Sequence, residues 1–302
     1  MTTNKKTSIG GQALLEGIMM RGPYRTAMAV RDPEGNIVLE EEDTKKPWGG
    51  KLTTIPVVRG IFNFISTLVV GYRALMRSAD IAMPEEAAAD RAKKEKQGSV
   101  FSGGLMVISV VLALVLAVGL FIWLPARVGQ WLGIEHRLWR SLFEGGFRIV
   151  IFVGYLLLMT LEKDIRRTFQ YHGAEHKTIF CYEHGKELTV ENVRGESRFH
   201  PRCGTSFMIL MLLVGVIISM VIPSMNAVIR TVIKIALLPL VVGIGYELIK
   251  LAGRRDNAFT RAISAPGVWL QHLTTLEPED GMIECAIAAF QAVVPPDESD
   301  NW

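Results

Sequence analysis

The chain has 302 residues, of which 21% are charged and 49% are hydrophobic, and its formal net charge is +3. With a mean hydropathy of +0.27, this composition favours one membrane domain with polar attachments over soluble domains alone. So small a net charge does not suggest a nucleic-acid partner. Three cysteines without a CxxC pair exclude a disulfide framework and favour reduced thiols facing a cytoplasm.

The N-terminal region, residues 1–100, is predicted to be cytoplasmic and to begin with strands. Residues 8–22 mix glycines with apolar side chains, which favours a packed strand and turn over a functional loop. Two strand-like segments then flank the turn sequence Asp32-Pro33-Glu34-Gly35. We therefore expect a β-hairpin over residues 26–41.

The next apolar segment, residues 55–76, is too short to cross a bilayer unaided. Gly60 to Tyr72 is a run of thirteen uncharged residues between Arg59 and Arg73, whereas a span needs about 20 residues. The pattern predicts an interfacial or partly inserted helix, or equally a helix buried against the membrane bundle. The polar stretch 78–99 that follows is predicted to be an exposed helix or a flexible linker.

Residues 101–251 are predicted to form a transmembrane domain, so that the fold class is a mainly α membrane protein. Four apolar stretches mark spans at about 105–124, 142–161, 206–222 and 231–249. Glu144 and Arg148 lie four residues apart and are expected to pair on one helix face. Lys234 and Glu247 lie near opposite ends of the fourth span, where both side chains are expected to snorkel towards the interfaces.

The distribution of positive charge predicts the orientation in the membrane. Lys and Arg number 15 before the first span, 8 in the loop 162–204 and 4 from Lys250 onward, and the remaining 6 of 33 lie elsewhere. The positive-inside rule therefore places both termini and this loop in the cytoplasm. If residues 55–76 spanned fully, the hairpin would instead lie outside.

Two further regions complete the expected architecture. Short strands are predicted at 177–182 and 187–193, inside the loop. The tail, residues 252–302, is predicted to be cytoplasmic and helical, with a turn at Pro266-Gly267.

The loop 162–204 carries the side chains most suited to chemistry, with four of the six histidines and two of the three cysteines. His172 and His176 are four residues apart and would point the same way on a helix, where two imidazoles can chelate one ion. With Glu175 they match the HxxEH pattern, in which the histidines bind zinc and the glutamate activates water. Gly173 weakens a helix by about 1 kcal/mol, which favours a helix end here.

A zinc ion needs at least one more protein ligand, and His200 and Cys203, just before the third span, are the candidates. One of them would leave a position open for water, with Glu175 as the general base. A closed set of His172, His176, His200 and Cys203 would be structural instead. Two alternatives need no metal: histidines that hydrogen-bond the loop to its neighbours, or Cys203 as a nucleophile beside a histidine.

Five stretches together resemble a known family. They are GGQALLEGIMMRGP (10–23), VVRGIFNF (57–64), HGAEHKTIFCYE (172–183), HPRCGTSF (200–207) and PGVWLQHLTTLEPED (266–280). This set resembles the YqhQ-like family of bacterial membrane proteins, which are often labelled metal-dependent enzymes. The resemblance implies a bacterial inner-membrane protein whose site residues are His172, Glu175, His176, His200 and Cys203.

The first of these stretches is expected to fold against the loop and to bring Glu16 or Arg21 near the site. The favoured function is a membrane-embedded, zinc-dependent hydrolase that acts on a lipid-linked molecule or a membrane protein segment at the cytoplasmic interface. The alternative is a non-enzymatic scaffold or assembly factor in the lipid bilayer, with a structural metal or none. A transporter is a weaker third possibility, because the charges within the predicted spans are few.

Overall fold

The structure, a computed structural model, describes residues 6–44, 50–89, 99–223, 225–254, 257–297, 299 and 300. Residues 90–98, within the predicted linker, lie outside this set. The strands are β1 (Gly10–Leu14), β2 (Gly17–Arg21), β3 (Arg25–Arg31) and β4 (Ile37–Asp43). The helices are α1 (Val58–Ala82), α2 (Ser99–Val118), α3 (Leu124–Trp131), α4 (Arg137–Met159), α5 (Lys163–Glu183), α6 (Val190–Arg194), α7 (Gly204–Ser219), α8 (Ala227–Ala236), α9 (Leu238–Arg254), α10 (Ala258–Thr274) and α11 (Asp280–Val293). The described chain is thus mainly helical with an N-terminal sheet.

The sheet is an antiparallel meander in the order β1-β2-β3-β4. The predicted hairpin is confirmed as β3 and β4, which pair from Arg25 opposite Asp43 to Arg31 opposite Ile37. Gly35 closes its turn with a φ of 90°, a conformation that glycine adopts without strain. The preceding glycine-rich segment, residues 8–22, forms a second hairpin, β1 and β2, where one packed strand and a turn were predicted.

Alternating side chains along the strands bury both faces of the sheet. The face that packs against α5 and α11 presents Ile18, Met20, Ala27 and Ala29. The opposite face, packed against α1, presents Leu14, Met19, Met28 and Val30. The sheet is therefore a layer between α1 and the pair α5–α11.

Residues 55–76 were predicted to form either an interfacial helix or a buried helix, and α1 is buried along one side only. It runs for 25 residues, and its Val70 and Ala74 pack on the sheet. Gly60 touches α9, where a Cβ would lie 2.7 Å from the Cβ of Tyr246. Another side of the helix exposes Leu68 and Tyr72, so the interfacial placement stays a prediction.

Two helical stretches are long and apolar enough to cross a membrane, Val107–Trp131 and Arg137–Met159. A third exists if the bent pair Ala227–Ala236 and Leu238–Arg254 counts as one span, with a 49° bend between the two helices. Pro239 lies at the start of the second helix of the pair and has no N–H to continue the first. Four spans were predicted, but α7 has only 16 residues, about 24 Å of helix against a hydrocarbon core of about 30 Å.

The buried charges of the bundle pair differently from the sequence expectation. Glu144 accepts hydrogen bonds from Arg140, Arg230 and Lys234, whereas Arg148 donates to the backbone carbonyl of Phe121 at 2.7 Å. The expected Glu144–Arg148 pair and the snorkelling of Lys234 are therefore wrong. Two of the three partners of Glu144, Arg230 and Lys234, lie on α8, and sequence spacing does not reveal these long-range contacts.

Glu247 also has a specific partner. Its carboxylate accepts hydrogen bonds from the guanidinium of Arg59 and from the backbone N–H of Val57. The contact joins the start of α1 to α9. The side chain therefore links two helices and does not snorkel.

About half of the predicted polar loop is one long helix. Helix α5 covers 21 residues, and α6 follows it, so the strands expected at 177–182 and 187–193 are wrong. The apolar side chains of α5 recur at helical spacing, with Tyr171 and Ala174 in the core shared with α11 and the sheet. This packing selects the helix.

Two residues expected to break helices instead lie inside them. Gly173 is in the middle of α5, where a Cβ would lie 2.0 Å from the carbonyl oxygen of Leu276. Pro266 lies inside α10, and the adjacent Gly267 lets that helix approach Ser206 of α7. Both glycines allow close backbone contacts, and the predicted turn at Pro266-Gly267 is wrong.

Candidate functional site

Three of the predicted ligands converge beside the start of α7. His172 and His176 lie on one face of α5, with ring centroids 4.4 Å apart. Cys203 is the N-cap of α7, and its sulfur accepts a hydrogen bond from the Thr205 N–H. The Nε2 of His172 lies 3.0 Å from the Sγ of Cys203, and one ligand atom from each of the three residues lies within 4.8 Å of the others.

Backbone carbonyls orient both imidazoles. The Nδ1 of His172 lies 2.8 Å from the carbonyl oxygen of Thr274, and that of His176 lies 2.6 Å from the carbonyl oxygen of Arg198. A carbonyl only accepts, so each ring donates from Nδ1, and Nε2 is the atom that the neutral ring can offer to a ligand. Imidazoles that bind metals are oriented in this way.

The electrostatics of the three residues favour a charged sulfur. Burial opposes ionisation of Cys203, but His172 and His176 hold the pKa of its thiol well below the usual value. Burial likewise disfavours the imidazolium of His172, yet Cys203 raises the pKa of His172 to about 9. The thiolate is the form of cysteine that binds metals and acts as a nucleophile, so the arrangement suits either chemistry.

Glu175 lies next to the three residues and contacts β1. Its Oε1 accepts a hydrogen bond from the backbone N–H of Gly11 at 3.1 Å, and a Cβ at Gly11 would lie 2.9 Å from the Cδ of Glu175. Burial raises the pKa of Glu175, although His172 and His176 oppose the shift. Together with His176 and Cys203, it lines a cavity of about 100 Å³.

His200 lies beside the site but outside the three-residue group. Its ring centroid is 5.5 Å from that of His176, and its Nε2 lies 3.2 Å from a guanidinium nitrogen of Arg202 and 3.8 Å from a carboxylate oxygen of Glu183. Burial lowers the pKa of His200 to about 4, so the ring is neutral. The described part of the chain therefore presents three clustered donors, and the closed set of four is not assembled.

Glu16, in the N-terminal stretch that was expected to fold against the loop, contacts α5 at Arg167 and Tyr171. Tyr171 precedes His172 in the sequence. The carboxylate of Glu16 pairs with the guanidinium of Arg167 at 2.6 Å and accepts from the Tyr171 hydroxyl at 3.3 Å. Hydrogen bonding to Arg167 lowers the pKa of Glu16. Arg21 instead lines a groove between the sheet and α1, so of the two residues named by the prediction it is Glu16 that contacts α5.

Several contributors to the site were missed by sequence reasoning. The carbonyls of Arg198 and Thr274 bear no sequence signal, because every residue carries a carbonyl. The close approach of Gly11 to Glu175 could have been predicted only from the two consecutive glycines, Gly10 and Gly11. Only the second of these glycines is crowded, since a Cβ at Gly10 would meet nothing within 4 Å.

Comparisons with known proteins identify relatives without a known activity. Residues 55–296 match the family described as "Protein of unknown function (DUF1385)". The chain is 32% identical over 299 residues to "Uncharacterized protein YqhQ" of Bacillus subtilis (strain 168), covering 94% of this chain and 92% of that protein. No solved structure matches. The resemblance to YqhQ-like proteins is thus confirmed, and the chain belongs to the DUF1385 family of proteins of unknown function.

Proposed function

We propose that the protein is a membrane-embedded, zinc-dependent hydrolase whose site faces the cytoplasm of a bacterial cell. The observation that carries this proposal is the convergence of His172, His176 and Cys203. Two imidazoles oriented by carbonyls and a thiolate form a donor set suited to zinc. Tetrahedral zinc separates such ligand atoms by about 3.5 Å, which is compatible with the 3.0 Å between His172 Nε2 and Cys203 Sγ.

The chemistry proposed for the site divides between the ion and Glu175. Three protein ligands leave the fourth position of zinc for water, and the ion would supply Lewis-acid activation of that water. Glu175 would accept the proton of the water and return it to the leaving group. The hydrogen bond from Gly11 N–H holds the carboxylate in place for this role.

Exposed apolar surface supports insertion into a membrane. Side chains from Val107 to Leu116 are exposed on the described structure, and nearly all of them are apolar. A contiguous patch of this kind is unfavourable in water and suits lipid tails. The site lies at the N-terminus of the apolar helix α7, which favours a lipid-linked substrate or a membrane protein segment. The excess of Lys and Arg in 1–104 and 162–204 favours the cytoplasmic side.

Metal content tests the ligand assignment. Protein purified in detergent should contain about one zinc per chain, and His176→Ala and Cys203→Ser should lose most of it. His184→Ala and Cys181→Ser are matched controls, because those side chains lie outside the cluster, and both should keep the zinc. Equal zinc in His176→Ala and His184→Ala would remove the assignment.

A structural metal in a scaffold is the second candidate, and burial of the site favours it. His176 is only 1% exposed and Cys203 6%, and the cavity of about 100 Å³ is below the usual range for ligand pockets of about 300–1,000 Å³. Glu175→Gln separates the two candidates in a strain that depends on the protein. A hydrolase keeps its zinc but loses function in the cell, whereas a scaffold keeps both.

A further inference from the structure

A second cavity lies along α7, from Met208 to Ser219, beyond the end of the helix that carries the His/His/Cys cluster. It has a volume of about 430 Å³ and lies between α4, α7 and the bent pair α8–α9. Its apolar walls include Phe152, Met211, Leu212, Ile218 and Val241. Two cationic side chains, Arg148 and Lys234, also line it. The cavity is thus an apolar groove with two cations in its wall, which matches the chemistry of an anionic amphiphile.

Arg148 is placed to receive such an anion. It lies midway along α4, where a charged side chain is costly within a bilayer and usually marks a function. Its Nε donates to the carbonyl of Phe121, in the π-helical segment Gly119–Trp123, and it forms no ion pair with any described carboxylate. Gly215 opposite it leaves space, since a Cβ there would meet only the Nη1 of Arg148, at 3.6 Å.

Lys234 joins the groove to a positively charged cluster. Lys234, Arg140 and Arg230 all donate to the one carboxylate of Glu144. Arg230 is fully buried and also donates to the carbonyls of Ile222 and Pro223 at 3.0 Å. Three cations around one carboxylate leave a positive field at this end of the groove, which an anionic group would offset.

We propose that this groove binds an anionic phospholipid of the surrounding bilayer, with the phosphate on Arg148 and Lys234 and an acyl chain along the apolar walls. The volume falls within the range of ligand pockets, about 300–1,000 Å³. Tyr155 and Met208 are partly exposed at its edge, which leaves a lateral entrance from the lipid. The inference rests on the membrane insertion proposed above, and it is independent of the zinc site and of hydrolysis.

Lipid titration of the delipidated protein in detergent, read by native mass spectrometry, tests the inference. Dioleoyl phosphatidylglycerol should bind about tenfold more tightly than dioleoyl phosphatidylcholine, because only the first has net charge at neutral pH. Arg148→Gln should abolish most of this preference, and Arg148→Lys should retain part of it. Gly215→Leu, which fills the groove without changing the charge, should weaken binding of both lipids.

Arg137→Gln is the matched control, because Arg137 is an exposed arginine at the start of the same helix. It should leave the lipid preference unchanged. Equal binding of the two lipids by the unmodified protein, or equal effects of Arg148→Gln and Arg137→Gln, would overturn the inference. Zinc content measured on the same samples keeps the two sites distinguishable, since Arg148→Gln should not change it. A protein that stays soluble and monodisperse without detergent would contradict membrane insertion itself.

Discussion

Single residues at the site show what sequence spacing can and cannot predict. The four-residue spacing of His172 and His176 suffices to predict that both rings lie on one helix face. The proximity of Cys203 could be proposed, but spacing alone does not require it, because it depends on how α7 meets α5. The position of His200 could not be predicted. Its Nε2 faces Arg202 and Glu183, and nothing in the sequence distinguishes these two polar residues as partners of a histidine.

Gly173 gives a prediction at this scale. Alanine favours a helix over glycine by about 1 kcal/mol, so propensity alone predicts that Gly173→Ala stabilises α5. The added Cβ would lie 2.0 Å from the Leu276 carbonyl oxygen, and relief of such overlap costs about 1–3 kcal/mol. We therefore expect net destabilisation, measured as a lower melting temperature in detergent. Gly154→Ala in α4, where a Cβ meets nothing within 4 Å, should be neutral or stabilising.

At the scale of elements, local patterns predicted the β3–β4 hairpin correctly but wrongly predicted strands within residues 177–193. The turn sequence between β3 and β4 identified their hairpin, because proline and glycine specify the backbone there. The β-branched and aromatic residues of 177–193 resembled strands, but burial against α11 and the sheet selects a helix. Elements defined by tertiary packing lie beyond what propensity can predict.

The docking of the first hairpin on α5 gives a pH-dependent prediction. Arg167 lowers the pKa of Glu16 below its ordinary value of 4.5. The stabilisation from this pair is therefore fully present above about pH 4.5 and is lost as the pH falls through the lowered pKa. The pair is partly exposed, at 41% and 27%, so its contribution should be at most about 1 kcal/mol.

Melting temperatures of the wild type and Glu16→Gln in detergent measure this contribution. The wild type should melt higher at pH 6, and the difference should shrink towards zero near pH 3. Glu34→Gln, which removes an exposed carboxylate in the β3–β4 turn, should show no such trend. A difference that stays constant or grows on acidification would mean that the Glu16–Arg167 pair does not dock the hairpin.

At the scale of the whole molecule, the sequence predicted a helical protein with four apolar spans, whereas two or three helical stretches of the described chain are long and apolar enough to cross a membrane. The difference arises at the third predicted span, because α7 is apolar but too short to cross a bilayer by itself. The number of strands was also underestimated. Both faces of the sheet are covered, so β1 and β2 lack the alternation of polar and apolar residues that identifies a strand in a sequence. The result is a bundle with a candidate site at the start of α7 and a charged groove along the rest of that helix.

The central claim is that His172, His176 and Cys203 hold one zinc ion with a position left for water. X-ray absorption at the zinc K-edge of the purified protein tests it most directly. We predict one sulfur at about 2.3 Å and three nitrogen or oxygen ligands at about 2.0–2.1 Å, with the sulfur contribution lost in Cys203→Ser and retained in Cys181→Ser. A first shell without sulfur, or with more than one, would contradict this assignment.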